Sequence, residues 1–353
     1  MHRQTASRAN QSSQKSSPGI TERVLAMSET DTLVEVEGLE VHFPVTAGLL
    51  QKTVGWVKAV DGLDLSIRRG ETFSLVGESG CGKSTTAMTI LRMQNPTAGR
   101  ILFDGMDITH ASKAQMRPVR RRMQMVYQDP FESLNPRMKV GSIIGEPLRV
   151  HGMASDKREY HRRIQELMKL VGLLPDMAER YPHEFSGGQR QRICIARSLA
   201  LNPELVICDE PVSALDVSIQ AQVLNLLMDL QEKLNLTYLF IAHDLSVVRH
   251  ISTRVGVMYL GNIVEVADRD TLFRSPKHPY AQALLNAVPE PDPLVEAGKP
   301  ENLIIGEVPS VRTPPAGCRF HPRCPQALAR CRADAPSLQP SSATAVACHL
   351  YRD

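Results

Sequence analysis

The octapeptide Gly77-Glu78-Ser79-Gly80-Cys81-Gly82-Lys83-Ser84 fits the pattern G-x-x-x-x-G-K-[ST], and no other feature restricts the chain as much. A glycine-rich turn of this kind aims successive backbone N–H groups, and then a helix N-terminus, at phosphate oxygens, closer than any side chain could come. It works only between a strand and a helix. Glu71-Thr72-Phe73-Ser74-Leu75-Val76 reads as a buried strand and Thr85 to Met93 as a helix, so that setting is present. Two further marks follow in order. Ser186-Gly187-Gly188-Gln189 opens a helix whose N-terminal amides and dipole suit an anion. Leu205-Val206-Ile207-Cys208-Asp209-Glu210 is an apolar run ending in two carboxylates. Alone, such an ending could be a salt-bridged strand terminus; in this order it belongs at the carboxyl edge of a parallel sheet, where ligands bind.

These residues resemble the ATP-binding cassette (ABC) ATPases: Walker A at Gly77–Ser84, the signature at Ser186–Gln189, Walker B at Leu205–Glu210 and the D-loop at Ser213-Ala214-Leu215-Asp216. Gln128, in Met125-Val126-Tyr127-Gln128-Asp129-Pro130, fits the Q-loop. His243 closes the apolar run Tyr238 to Ala242, where a lone histidine is ordinarily structural, yet its place 33 residues after Glu210 fits the switch histidine. The resemblance covers residues 33 to 275 and implies phosphoryl transfer to water, a reaction run by positioning and charge neutralisation. Gly77, Glu78, Ser79, Gly80, Cys81, Gly82 and Thr85 would frame the nucleotide, with Lys83 against the β and γ phosphates. Ser84 would ligate Mg²⁺ and Asp209 would hold it through water, with Gln128 sensing metal and water. Glu210 would be the general base, and His243 would contact the γ-phosphate. Asp216, in the D-loop, would bind nucleotide, while Ser186, Gly187, Gly188 and Gln189 would face the triphosphate of an opposed subunit, so hydrolysis requires a dimer.

The stretches Asp129 to Arg137, Phe185 to Arg192 and Asp209 to Ser218 resemble more narrowly one of the two ATPase subunits of bacterial dipeptide/oligopeptide import permeases. That implies two membrane-spanning permease subunits above the ATPase, a sister ATPase as the dimer partner (a second copy being the alternative) and an extracytoplasmic solute-binding protein. It also implies a place on the cytoplasmic face of the inner membrane, held there through partners only. Relatives with the same marks move nickel, glutathione or short sugars. A soluble ABC protein of translation or DNA repair would share the ATP chemistry but usually carries two cassettes or long coiled insertions. A kinase or metal-regulated binding module would lack the signature.

The 353 residues are long for one cassette and short for two, and there is a single Walker A. The expected fold is an α/β P-loop NTPase of the ABC cassette type, with a parallel core sheet, an antiparallel β subdomain, an inserted helical subdomain and a small Cys-containing C-terminal extension. With 41 Lys+Arg against 38 Asp+Glu, the charge of +3 makes no case for nucleic acid. No run approaches the 18 apolar residues of a membrane span. Residues 1–30 are rich in Ser, Gln and Thr and read as a disordered leader, with Met27 as the expected native start. The cassette is expected over 31–275, its helical subdomain over about 129–202, and the extension over 276–353.

Leu33 to Phe43 and Val60 to Ile67 alternate with period two and, with Arg100 to Phe103, should form the antiparallel sheet. The resemblance makes Phe43, at the position of the family's stacking aromatic, the candidate for stacking on adenine; Trp56, in the insertion that precedes the phosphate loop, is its rival, and a core role for Phe43 is the alternative. Lys157 to Gly172 has helical apolar spacing. The resemblance to the permease ATPases implies that the loop over 129–138 touches a membrane subunit, an ordinary surface loop being the alternative.

Cys194 and Cys208 read as buried filler, whereas Cys81, among amides and beside Lys83, is expected to have a lowered pKa and to be shielded from alkylation by ATP. Cys318, Cys324, Cys331 and Cys348 follow a Pro-rich link and are spaced C-x5-C-x6-C-x16-C, without the paired C-x2-C of zinc ribbons. The segment Gly317 to Pro325 resembles the extension of peptide-permease ATPases, some of which hold a [4Fe-4S] cluster. A cluster, zinc and reduced structural thiols are all open, with Arg319, Arg323, Arg330 and Arg332 expected to offset the negative charge of a thiolate site.

Overall fold

The computed structural model describes residues 31–48, 51–288, 306–341 and 343–351. The leader, Met27 and the Pro-rich link at 289–293 lie outside them. Residues from Thr32 onward form one compact unit. Strands β1 (Thr32–Ala47) and β2 (Lys52–Arg68) pair antiparallel. β1 also pairs with β4 (Ala98–Phe103), and β4 with the short β5 (Met106–Asp107), giving a four-stranded sheet in the order β2-β1-β4-β5. The period-two pattern buries Val34 and Val36 and, after an irregularity in the pairing between Val36 and Leu39, resumes with Leu39 and Val41 buried. The segment between Phe43 and Val57, an insertion in the sequence, continues the hairpin: Pro44 lies opposite Trp56 and Val45 opposite Gly55.

The second sheet has eight strands, β11-β12-β10-β9-β3-β8-β7-β6. Its parallel part comprises β3 (Thr72–Val76), β6 (Met123–Val126), β7 (Leu205–Asp209), β8 (Thr237–Ala242) and β9 (Arg254–Tyr259). The inner strands β3, β7 and β8 are buried at every position, which is why they read as unbroken apolar runs rather than alternating ones. Helices α1 (Lys83–Ile90) and α2 (Lys113–Arg122) follow β3 and precede β6. Between β6 and β7 lie α3 (Pro130–Ser133), α4 (Val140–Val150), α5 (Lys157–Leu170) and α6 (Gly187–Leu199). α4 closes tightly on α5, because a Cβ at Gly145 would lie 2.3 Å from the Tyr160 hydroxyl. α7 (Val217–Leu234) and α8 (Leu245–Ile251) complete the core.

The C-terminal segment does not stand apart from this core. β10 (Asn262–Asp268) pairs with β9 on one side and with β12 (Thr344–Val346) on the other, and β11 (Gln339–Ser341) closes the edge. Helices α9 (Arg269–Arg274) and α10 (Pro279–Asn286) lie between. Among the described residues, no helix is long and apolar enough to cross a membrane.

Candidate functional site

β3 delivers the chain into the glycine loop and α1 leaves it, with Gly82 at φ 110°. A Cβ at Gly77 would lie 2.2 Å from the Met258 carbonyl oxygen, and one at Gly82 would lie 2.2 Å from that of Ala59. Backbone cannot yield as a side chain tip can, so both positions require glycine. Lys83 is buried, and its ammonium donates to the carbonyls of Gly77 at 2.8 Å and Glu78 at 3.1 Å.

Strand register brings the remaining motifs to this same edge: Val76 lies beside Ala242, Asp209 beside Ile241, and Val126 beside Cys208. The Ser84 hydroxyl donates to Asp209 Oδ1 at 3.0 Å. Burial pushes the Asp209 carboxyl up, the Ser84 hydrogen bond opposes this, and the neighbouring Glu210 adds to the rise. A divalent cation reverses that logic. A hydroxyl and a carboxylate side by side are the hard oxygen donors that Mg²⁺ takes, so the residues present fit the ion.

Glu210 occupies the left-handed region at φ 47°, uncommon for a residue with a side chain and often found at working sites. Its Oε2 accepts from Gln128 Nε2 at 2.9 Å and lies 3.1 Å from His243 Nδ1. Three strand ends thus supply one constellation, a carboxylate bracketed by an amide and an imidazole. Such a group can orient a water and take its proton.

The other predicted residues lie elsewhere. Ser186 is exposed and caps α6, accepting from the Gln189 amide at 3.4 Å, while Gln189 Oε1 accepts from the Ser186 amide at 3.1 Å. Gly188 packs where a Cβ would lie 2.5 Å from Ile219 Cγ2. Among the described residues, no hydrogen bond joins Ser186–Gln189 to Gly77–Ser84. Asp216 is exposed and precedes α7 without a side-chain cap. Thr85 lies in the first turn of α1. Phe43 faces Val57 across the hairpin and is 36% exposed, against 51% for Trp56.

Two expectations fail. The Cys81 thiol is pushed up, not down, because burial outweighs the opposing pull of Lys83. The arginines among the C-terminal cysteines do not serve as a common counter-charge. Arg319 binds Asp61 and the Leu260 carbonyl, Arg323 binds Glu78, and Arg330 binds the His349 carbonyl. All seven cysteines are free. Cys318 is pushed up to about 11, first by burial and further by the neighbouring Cys331, Cys348 and Cys324. Among the described residues, no three cysteine sulfurs lie within 4.8 Å of one another; Glu40, His42 and Asp61 do meet that limit. Lys58 and Arg319 already neutralise Asp61, leaving little there for a cation. Sequence reasoning missed the Arg323–Glu78 pair, which joins positions 245 residues apart and leaves no local signal.

The ABC transporter family pattern matches residues 60–213, and that of the oligopeptide/dipeptide transporter C-terminal region matches residues 264–331. AppF, the oligopeptide transport ATP-binding protein of Bacillus subtilis (strain 168), is 53% identical over 329 residues, covering 93% of this chain and all of the relative. The chain belongs to the oligopeptide/dipeptide ABC transporter ATPases. OppF of Salmonella typhimurium is 49% identical over 91% of this chain and 97% of its own length. The post-hydrolysis dimer of the ATP-binding cassette MJ0796 bound to ADP and Pi superposes with a TM-score of 0.60 at 27% identity, covering 67% of this chain and 99% of that one. This ABC ATPase therefore binds ATP with Mg²⁺ and hydrolyses it, as a subunit of a peptide-import transporter.

Proposed function

We propose that ATP is held by Gly77–Ser84 and Thr85 and stacked on Phe43, and that Glu210 is the general base, oriented by Gln128 and His243. The observation that carries this reading is the convergence of Gln128 and His243 on Glu210 Oε2. Ser84 and Asp209 would hold Mg²⁺, which neutralises phosphate charge when bound. Lys83 supplies the second positive charge, and Glu210 accepts the proton of the attacking water.

The signature residues and Asp216 complete the site of an opposed subunit, with a sister ATPase as partner. This is supported by the exposure of Ser186 and by the absence, among the described residues, of hydrogen bonds from its motif to the phosphate loop of the same chain. The division into a cassette over 31–275, with helical insertion 129–202, and an extension over 276–353 is part of the same reading. Two permease subunits and a solute-binding protein complete the importer, which puts this chain on the cytoplasmic face of the membrane. Residues 129–138 would meet a permease subunit, alongside a cleft of about 1220 Å³ lined by Met93, Tyr127, Gln128, Glu132 and Val150. Motion would pass to the signature helix through Arg190, stacked 4.1 Å over the Phe131 ring, and Arg197, which donates to the Ser133 carbonyl at 2.6 Å.

Capture of the chain from detergent-solubilised membranes tests the assembly. Two multi-spanning proteins and a second ATPase are expected; recovery of the chain with neither rejects it.

The four C-terminal thiols are proposed to hold an iron–sulfur cluster rather than zinc. A zinc ion at a Zn–S distance of about 2.3 Å would draw its sulfurs to within about 4 Å of one another, closer than three cysteines come among the described residues. A cluster spreads its thiolates more widely, and bound metal would favour the thiolate form that burial opposes at Cys318, Cys324 and Cys348. Brown protein with iron and sulfide is expected from purification without air; colourless, iron-free protein rejects the cluster.

A further inference from the structure

Glu78, inside the phosphate loop, is gripped from two directions by the C-terminal segment. The Tyr280 hydroxyl accepts from its amide at 3.0 Å. Arg323 takes its carboxylate as a fork, Nη1 to Oε2 at 2.9 Å and Nη2 to Oε1 at 3.1 Å, which is the strongest geometry a guanidinium offers a carboxylate. Arg323 is 8% exposed, and Nη1 also reaches the Tyr259 hydroxyl at 3.3 Å. Tyr259 packs against Tyr280 and Phe320 with centroids 4.7 and 5.3 Å apart. A cation so enclosed is held by its partner rather than by water.

The position of Glu78 poses an electrostatic problem, because a loop that binds a polyanion through its amides is weakened by a carboxylate of its own. We propose that Arg323 is a positioning residue for the phosphate loop: it cancels the charge of Glu78 and fixes the loop to the cysteine-bearing segment, so that nucleotide affinity depends on that segment. Its neighbour Arg319 makes a second tie, to Asp61 and the Leu260 carbonyl. Asp61 in turn lies 2.8 Å from Nε2 of His42, next to Phe43. Both arginines lie between Cys318 and Cys324, so one short segment reaches two parts of the nucleotide site.

This inference rests on Gly77–Ser84 being the nucleotide loop. The test is titration of the full-length chain with Mg·ADP and a non-hydrolysable ATP analogue, with thermal melting run in parallel. Arg323→Gln should weaken both ligands by about tenfold, from one uncompensated charge several ångströms from the phosphates. Glu78→Gln alone should tighten binding, and Glu78→Gln combined with Arg323→Gln should recover most of the loss. Arg323→Lys, which keeps the charge but not the fork, should fall between wild type and Arg323→Gln, and it carries the test if Arg323→Gln does not fold. Wild-type affinity in a folded Arg323 variant would overturn the proposal. So would a weakened variant that Glu78→Gln fails to rescue, which would indicate lost packing. Lys83→Ala separates the two readings. If it binds like wild type, the loop assignment fails and this proposal with it; if it loses nucleotide while the Arg323 variants do not, only this proposal fails.

Discussion

Two glycine motifs in this ATPase each open a helix, and they differ in what surrounds them. At Gly77–Ser84, Gly77 and Gly82 are pressed by backbone oxygens of Met258 and Ala59, and the lysine is buried against the loop's own carbonyls. At Ser186–Gln189 the close contact is one side chain, Ile219 on Gly188, and the serine is exposed and bonded within its own helix turn. One loop is walled in by its own chain. The other stands open to solvent, as the proposed closure against an opposed subunit requires.

The largest effect should come from the enclosed side. Glu210→Gln should retain ATP binding and lower turnover in the assembled transporter by about 10²–10⁴-fold, the typical worth of a general base; unchanged turnover would remove Glu210 from the mechanism. Next comes the open side: Ser186→Arg should leave nucleotide binding by this chain intact while reducing steady-state hydrolysis by about 10²-fold, comparable to losing one preorganised donor. Loss of nucleotide binding by the purified Ser186→Arg chain would erase the contrast between the loops.

Smaller effects sharpen the comparison. Phe43→Ala should weaken ATP by about fivefold or more, given about 1–3 kcal/mol for a base on an aromatic ring, and Trp56→Ala should do less; the reverse order would move the stacking role to Trp56. The smallest is a pH effect confined to the enclosed side. His278 is buried against Phe320, with ring centroids 5.7 Å apart, and its Nδ1 accepts from the Tyr280 amide at 3.0 Å. Burial depresses it to about 3, so the unfolded chain takes up the proton first. The stability it contributes is present above its ordinary pKa of about 6.5 and is lost as pH falls from there toward 3, costing about 2 kcal/mol by pH 5. Replacing it by Asn should flatten the dependence of melting temperature on pH between 7 and 5; an unchanged slope would clear His278.

The phosphate loop, the carboxylate pair, the buried strands and the helix over Lys157–Leu170 were legible because each is a local pattern. Glycine at a forced turn, an apolar run and a helical period all act over neighbouring residues. Phe43 stands ahead of Trp56 on the family resemblance alone, since the intervening segment reads as a simple insertion and only the hairpin pairing sets them side by side. The C-terminal segment was misread in its arginines. Charge spacing suggested a counter-charge to thiolates, and three of those four arginines are instead spent on Asp61, Glu78 and a backbone carbonyl.

The sequence by itself determined the family and its local marks: a single ATPase cassette with its glycine loop, its signature motif and its apolar strand ending in two carboxylates. Only the tertiary structure decided the company those residues keep, joining Gln128, Glu210 and His243, burying Cys81 so that its thiol resists ionisation, and setting Arg323 on Glu78. The reason is range. A turn or a strand is fixed by interactions between near neighbours, whereas burial and ion pairing depend on groups that only the completed fold brings within a few ångströms.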